Sequence, residues 1–204
     1  MKIKVLAIAA FAASLTAGAA TTAVAQDVPN WIGVSVGNSR VTNSNDLSGI
    51  SPNSTDKSDN AWKIYLGIPF NKNLGLELGY AKLGDQSISG TFKGAPATSR
   101  ATSTAYLFDL VGNYDFNESF SLLGKAGMHR WGVNSDTTKN GVNATDGADG
   151  FDFTYGLGVQ YNVSRDVGLR MEWERMNKMG HEGTTGKFDA NLITIGVVYK
   201  FKIL

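Results

Sequence analysis

The chain has 204 residues, with 19 basic and 18 acidic side chains, 24 glycines, four prolines and no cysteine. Near-neutral charge gives no support to nucleic acid as a partner, and the lack of thiols excludes disulfides, thiolate metal ligands, cysteine nucleophiles and acylation of an N-terminal cysteine.

Residues 1–25 have the layout of a secretory signal: Lys2 and Lys4 precede an apolar run from Val5 through Leu15, and small residues end at Ala23-Val24-Ala25. The expectation is cleavage before Gln26, export, and a single domain over residues 26–204. No later segment has the ~20 apolar residues of a membrane-crossing helix.

The rest of the chain alternates. A first strand is predicted over roughly Asn30 to Ser39, with Ile32, Val34 and Val36 on one face and Gly33, Ser35 and Gly37 on the other. A polar connection, read as a loop, follows from about Arg40 to Ser58. The next two strands form a hairpin: Trp62, Ile64, Leu66, Ile68 and Phe70, then Leu74, Leu76, Leu78 and Tyr80, joined by Asn71-Lys72-Asn73. Gln86 to about Ser99 is read as a second long loop. A fourth strand, about Arg100 to Phe116, carries Tyr106, Phe108, Leu110, Tyr114 and Phe116 opposite Asp109 and Asn113.

After the turn Asn117-Glu118-Ser119, a fifth strand runs from Phe120 to about Gly132, and a third long loop is read from Val133 to Asp149. The sixth strand, Gly150 to Val163, has the cleanest alternation, from Phe151 through Val163 at every second position. Ser164-Arg165-Asp166 turns into a seventh strand, Val167 to about Lys178. A glycine-rich loop then leads to the eighth, Phe188 to Phe201, with Ile193, Ile195, Val197, Tyr199 and Phe201 on its apolar side.

Eight such segments, with short turns at one end and long connections at the other, predict an all-β, eight-stranded antiparallel up-and-down transmembrane β-barrel. A secreted barrel with its apolar face inward is the rival. It fails on volume, because an eight-stranded barrel has an interior only just wide enough for side chains, and the aromatic residues of the apolar face exceed it. Two girdles follow from the registers: Phe70, Phe116, Phe120, Tyr161, Tyr199 and Phe201 near one interface, and Trp62, Tyr106, Phe151, Phe153 and Trp173 near the other.

The candidate site is the set of charges on the inward parity. Counted from the short turns, Glu77 and Arg170 stand about three residues up, Lys125 and Glu172 about five, and Lys63, Asp109 and Glu174 about seven. Opposite charges at one depth in so narrow a space are expected to pair. Catalysis has weak support: the two histidines, His129 and His181, lack a neighbouring serine and an orienting acid in the pattern. Asp136, Asp146 and Asp149 match no calcium-loop spacing. No cofactor or metal is expected, and no catalytic residue.

On these residues, above all Leu74 to Asp85 (LGLELGYAKLGD), the chain resembles the small outer-membrane barrels of the OmpA transmembrane-domain and OmpX type from Gram-negative bacteria. The resemblance implies residence in the outer membrane, contact with its lipid and lipopolysaccharide, and insertion by the outer-membrane assembly machinery. It implies a structural or surface-interaction role, with a surface ligand reached through the long loops, or else an ion or small-solute channel. A lipid A-modifying enzyme is the weaker alternative. Two departures enter the expectation: no peptidoglycan-binding domain is expected after the barrel, and Phe201 is followed by Lys202-Ile203-Leu204 where such barrels end on an aromatic residue.

Overall fold

The computed structural model describes residues 28–42, 50–181 and 185–202. The segment expected to be a signal lies outside them, as do the last two residues of the chain. Nine strands follow in order: β1 (Asn30–Thr42), β2 (Ser51–Asp56), β3 (Ser58–Pro69), β4 (Leu74–Phe92), β5 (Ala95–Asp115), β6 (Phe120–Lys139), β7 (Val142–Asn162), β8 (Val167–Met179) and β9 (Phe188–Phe201). Every pairing is antiparallel between neighbours, β1 pairs with β9, and the sheet closes on itself.

The wall has eight positions although nine strands are present, because β2 and β3 occupy the same edge of β4. β3 pairs with Gly75–Lys82 and β2 with Ser87–Thr91, so β2 is an upper run of the same wall position, separated from β3 by Lys57. The break coincides with a bulge in β4 between Lys82 and Asp85, where Gly84 has φ +75°. Asp85 anchors the bulge: its carboxylate accepts from the Thr102 hydroxyl at 2.6 Å and from Arg100 at 2.5 Å, and its backbone N–H donates to Asp59 at 2.8 Å. The Thr102 bond, with Arg100 beside it, holds that carboxyl below the usual aspartate range.

The three short turns share one device. Asn71 accepts from the N–H groups of Asn73 and Leu74, Asn117 from those of Ser119 and Phe120, and Ser164 from those of Asp166 and Val167. A side-chain oxygen that satisfies the two donors following it fixes a tight reversal.

The segments 86–99 and 133–149 are corrected by the structure. They are not loops but the upper halves of hairpins, paired without interruption as far as Phe92↔Ala95 and Lys139↔Val142. At each tip two consecutive residues have positive φ, Lys93 (50°) with Gly94 (83°) and Asn140 (52°) with Gly141 (76°), the backbone of a two-residue turn that matches strand twist. Part of the predicted connection 40–58 is likewise strand, as the end of β1, β2 and the start of β3.

Burial is inverted relative to a water-soluble protein. Val34, Phe116, Phe153, Leu157, Ile195 and Tyr199 are all more than half exposed, while Lys63, Glu172 and Glu174 are at 2 % or less. Such an outer surface has a low free energy only against hydrocarbon.

Candidate functional site

All seven charged residues of the candidate cluster point into the lumen, from β3 (Lys63), β4 (Glu77), β5 (Asp109), β6 (Lys125) and β8 (Arg170, Glu172, Glu174). Six of them form one network. Lys63 Nζ lies 2.7 Å from Glu172 and 2.6 Å from Glu174. Lys125 Nζ lies 2.5 Å from Glu172 and 3.5 Å from Glu174, and also contacts Glu77. Arg170 donates to Glu77 at 2.8 Å and to the side-chain oxygen of Gln160 at 2.9 Å. Sharing each cation among several carboxylates offsets part of the desolvation cost of bringing these groups inside.

Asp109 stands apart. It is opposite Glu77 in register, is 1 % exposed, belongs to no ion pair among the described residues, and has one carboxyl oxygen with no hydrogen-bond partner.

Glycines on the neighbouring strands make the room. Gly156 faces Glu174 and Gly158 faces Glu172; a Cβ on either would come within 3 Å of the glutamate Cγ. Their place on the inward parity of β7 explains why that face looks empty in the sequence.

Two aromatic residues belong to the site that charge counting alone does not find. Tyr65, at 2 % exposure, has Lys63, Lys125 and Arg170 within 4.9, 5.2 and 5.2 Å of its ring centroid. Trp31 donates its indole N–H to Glu77 at 3.0 Å and carries Arg170 at 5.9 Å. Both rings offer their negative faces to cations in a space where water is scarce. The signal was available: Tyr65 and Trp31 share the inward parity with Lys63.

Above this ionic layer, toward the long hairpins, the lumen becomes mainly apolar, with the buried hydroxyls of Ser39 and Ser103 set among the apolar side chains. Every wall position contributes: Val41 from β1, Ala61 from β3, Leu83 from β4, Leu107 from β5, Val133 from β6, Ala148 from β7, Met176 from β8 and Leu192 from β9. Leu83, Met176 and Leu192 have no exposed surface at all. Alternation shows which residues point inward but not that their character changes with height, so the layer was missed.

The remaining candidates stay dispersed. His129 is buried in the lumen with neither ring nitrogen bonded, while His181 lies at the β8–β9 connection with its N–H on Thr185. Asp136 accepts from Thr145 and Asp149 lies 3.4 Å from Arg130. Among the described residues no group of three or more His, Cys, Asp or Glu is placed to hold a metal ion.

Comparison with known proteins gives one family. The model described as "Outer membrane protein beta-barrel domain" matches residues 7–201. Among curated relatives, outer membrane protein A of Klebsiella pneumoniae is 28 % identical over 139 residues, 66 % of this chain and 39 % of that protein. Its counterpart in Serratia marcescens is 25 % identical over 157 residues, 76 % of this chain and 43 % of that protein. The chain thus matches only about two fifths of the length of these relatives.

Among solved structures, OprG of Pseudomonas aeruginosa superposes with a TM-score of 0.59 at 16 % identity, covering 87 % of this chain and 98 % of that one. Ail, the attachment invasion locus protein of Yersinia pestis, gives 0.52 at 16 %, covering 86 % and 100 %. At these identities the likeness is one of fold.

Proposed function

From the premise that the chain belongs to the outer membrane protein beta-barrel domain family and is a small barrel of the outer membrane, we propose that it holds a rigid sheet out from the cell to engage a surface partner, while its lumen stays closed. The observation that carries this reading is the paired length of β4 to β7 beyond the membrane. With short turns on the periplasmic side, Phe92 stands ten residues above Lys82, roughly 25 Å further out at ~3.3 Å per residue and a strand tilt of about 40°.

Flexible loops would pay an ordering cost on binding that a hydrogen-bonded sheet has already met. The sheet also has an open side. β7 pairs with β8 only over Thr154–Asn162, so Val142–Phe153 has β6 along one edge and no strand along the other among the described residues. Unpaired strand edges of this kind accept extended segments of other proteins. Attachment is in the name of the Yersinia pestis neighbour, and the same class of role is proposed here. Lipopolysaccharide around the outer leaflet and the assembly machinery that inserts the barrel complete the proposed partners.

The test replaces residues 86–101 and 134–148 by two-residue turns. The shortened barrel, like the unmodified one, is expected to resist detergent unfolding and migrate anomalously before heating, and the shortened barrel to lose attachment of the expressing cells to their target surface. Unchanged attachment by a folded, shortened barrel would sink the reading.

A further inference from the structure

We propose that the open edge of β7 takes up, in antiparallel pairing, an extended basic segment of the surface partner with lysine or arginine at every third position. The inference rests on the surface-engagement part of the function proposed above and names the chemistry of the segment that fits.

The backbone of β7 fixes which groups are on offer. In an antiparallel ladder the N–H and C=O of one residue point to the same neighbouring strand, and those of the next residue to the other side. Asn162 donates its N–H to Ser119 at the foot of β6, so even-numbered residues of β7 serve β6 and odd-numbered ones the opposite side. Phe153 agrees: its carbonyl accepts from the Asn177 side chain of β8 at 3.2 Å, and its N–H donates to the Asp152 carboxylate at 2.8 Å. Those two side chains cap the ladder where β8 departs, beyond the last β7–β8 pair, Thr154↔Met176. Above them, Phe151, Asp149, Gly147, Thr145 and Asn143 turn both backbone groups to a side where no strand stands among the described residues.

The side chains along that edge decide what pairs with it. Asp146, Asp149 and Asp152 stand three residues apart, the first and last on the inward face and the middle one on the outward face. Among the described residues their one ion pair joins Asp149 to Arg130 at 3.4 Å, with both side chains largely exposed. A second copy of this chain pairing about Asp149 would set Asp146 against Asp152 and Asp149 against itself, and like charges directly opposite are destabilising. A segment with basic residues at i, i+3 and i+6 instead places one opposite each carboxylate. Its middle basic residue, opposite Asp149, exchanges backbone hydrogen bonds with β7. The outer two, opposite even-numbered residues, turn their N–H groups away.

The experiment uses the full chain, refolded in zwitterionic detergent and checked for heat-modifiable migration, and a labelled nine-residue Thr/Val peptide with lysine at its second, fifth and eighth positions. The peptide is expected to bind, more weakly as salt screens the charges, and its glutamate counterpart not to bind. N-methylation of the middle lysine is expected to abolish binding, and N-methylation of the two outer lysines to leave it unchanged. Asp146→Asn, Asp149→Asn and Asp152→Asn together should weaken binding about tenfold, the sum of three cross-strand charge pairs. Gly147→Pro removes a free N–H and no bond to β6, so that variant is expected to fold, to lose the peptide, and to lose attachment when expressed on cells.

Equal binding of the two methylated peptides, binding of the glutamate peptide, full binding by folded Gly147→Pro, or no binding of the lysine peptide would each overturn the inference. If Gly147→Pro does not fold, the methylated pair on the unmodified protein decides. Attachment that is lost on shortening the hairpins while the lysine peptide fails to bind would overturn this inference alone; attachment indifferent to the shortening would overturn the reading on which it stands.

Discussion

Tyr65 occupies the point on which Lys63, Lys125 and Arg170 converge, and its neighbours define what a single side chain contributes. Lys125 is the most shared of them, in contact with Glu77, Glu172 and Glu174. Replacing it with methionine keeps much of the volume but strands carboxylates that retain only Lys63 and Arg170. Uncompensated buried charge of this kind costs about 3 to 5 kcal/mol. The expected outcome is a lower midpoint of urea unfolding for Lys125→Met in lipid vesicles, partly restored when Glu77 is also replaced by glutamine; equal stability of the single variant and the unmodified protein would show that the network carries no such strain. At this scale the sequence was informative about depth, since counting from the turns sets Glu77 beside Arg170 and Lys125 beside Glu172, and these are bonded. Tyr65 and Trp31 carried the inward parity but went unread, because their rings hold cations by their faces and a count of charges does not register them.

The upper hairpins show why element boundaries were harder to read than faces. Within the membrane, one side of each strand meets lipid and the other the lumen, so apolar residues recur at every second position. Above it, more of the sheet meets water, and runs such as Ser87–Thr91 or Asn134–Thr138 keep strand geometry with no apolar stripe to announce it. A turn signal was present and lay unread inside the segments read as loops: Asn140-Gly141 is among the strongest short hairpin signals. Gly141 adopts φ +76°, a conformation that costs other residues about 1 to 2 kcal/mol and β-branched ones more. Gly141→Val is therefore expected to fray the β6–β7 tip. Limited proteolysis should cut near Asn140 in the variant and not in the unmodified protein, while the membrane-spanning part keeps its heat-modifiable migration. Protection of the tip in both proteins would argue that strand pairing, not the turn, holds the hairpin.

At the scale of the whole molecule, the outward face was legible from alternation alone because hydrocarbon on one side imposes it over every strand; the change of the lumen from ionic to apolar has no such periodic signature. Closure has a further consequence, for the order of events during assembly. Lys63 and Glu174 are 111 positions apart, and β1 finds its second neighbour only in β9. Contacts this distant must wait for most of the chain, which makes such topologies slow to form. Until β8 arrives, Lys63 has neither Glu172 nor Glu174, and Glu77 lacks Arg170. A sheet that entered the bilayer early would carry Lys63 without its carboxylates and leave Glu77 to Lys125 alone, so incomplete intermediates are penalised and insertion coincides with closure. A chain ending at Asn162 is expected to remain fully protease-sensitive beside lipid vesicles in which the complete chain becomes protected; protection of the shortened chain would mean that the strands commit to the membrane one hairpin at a time. The buried charges would thus act as a timing device, keeping the chain out of the bilayer until the partners of its early strands have been made.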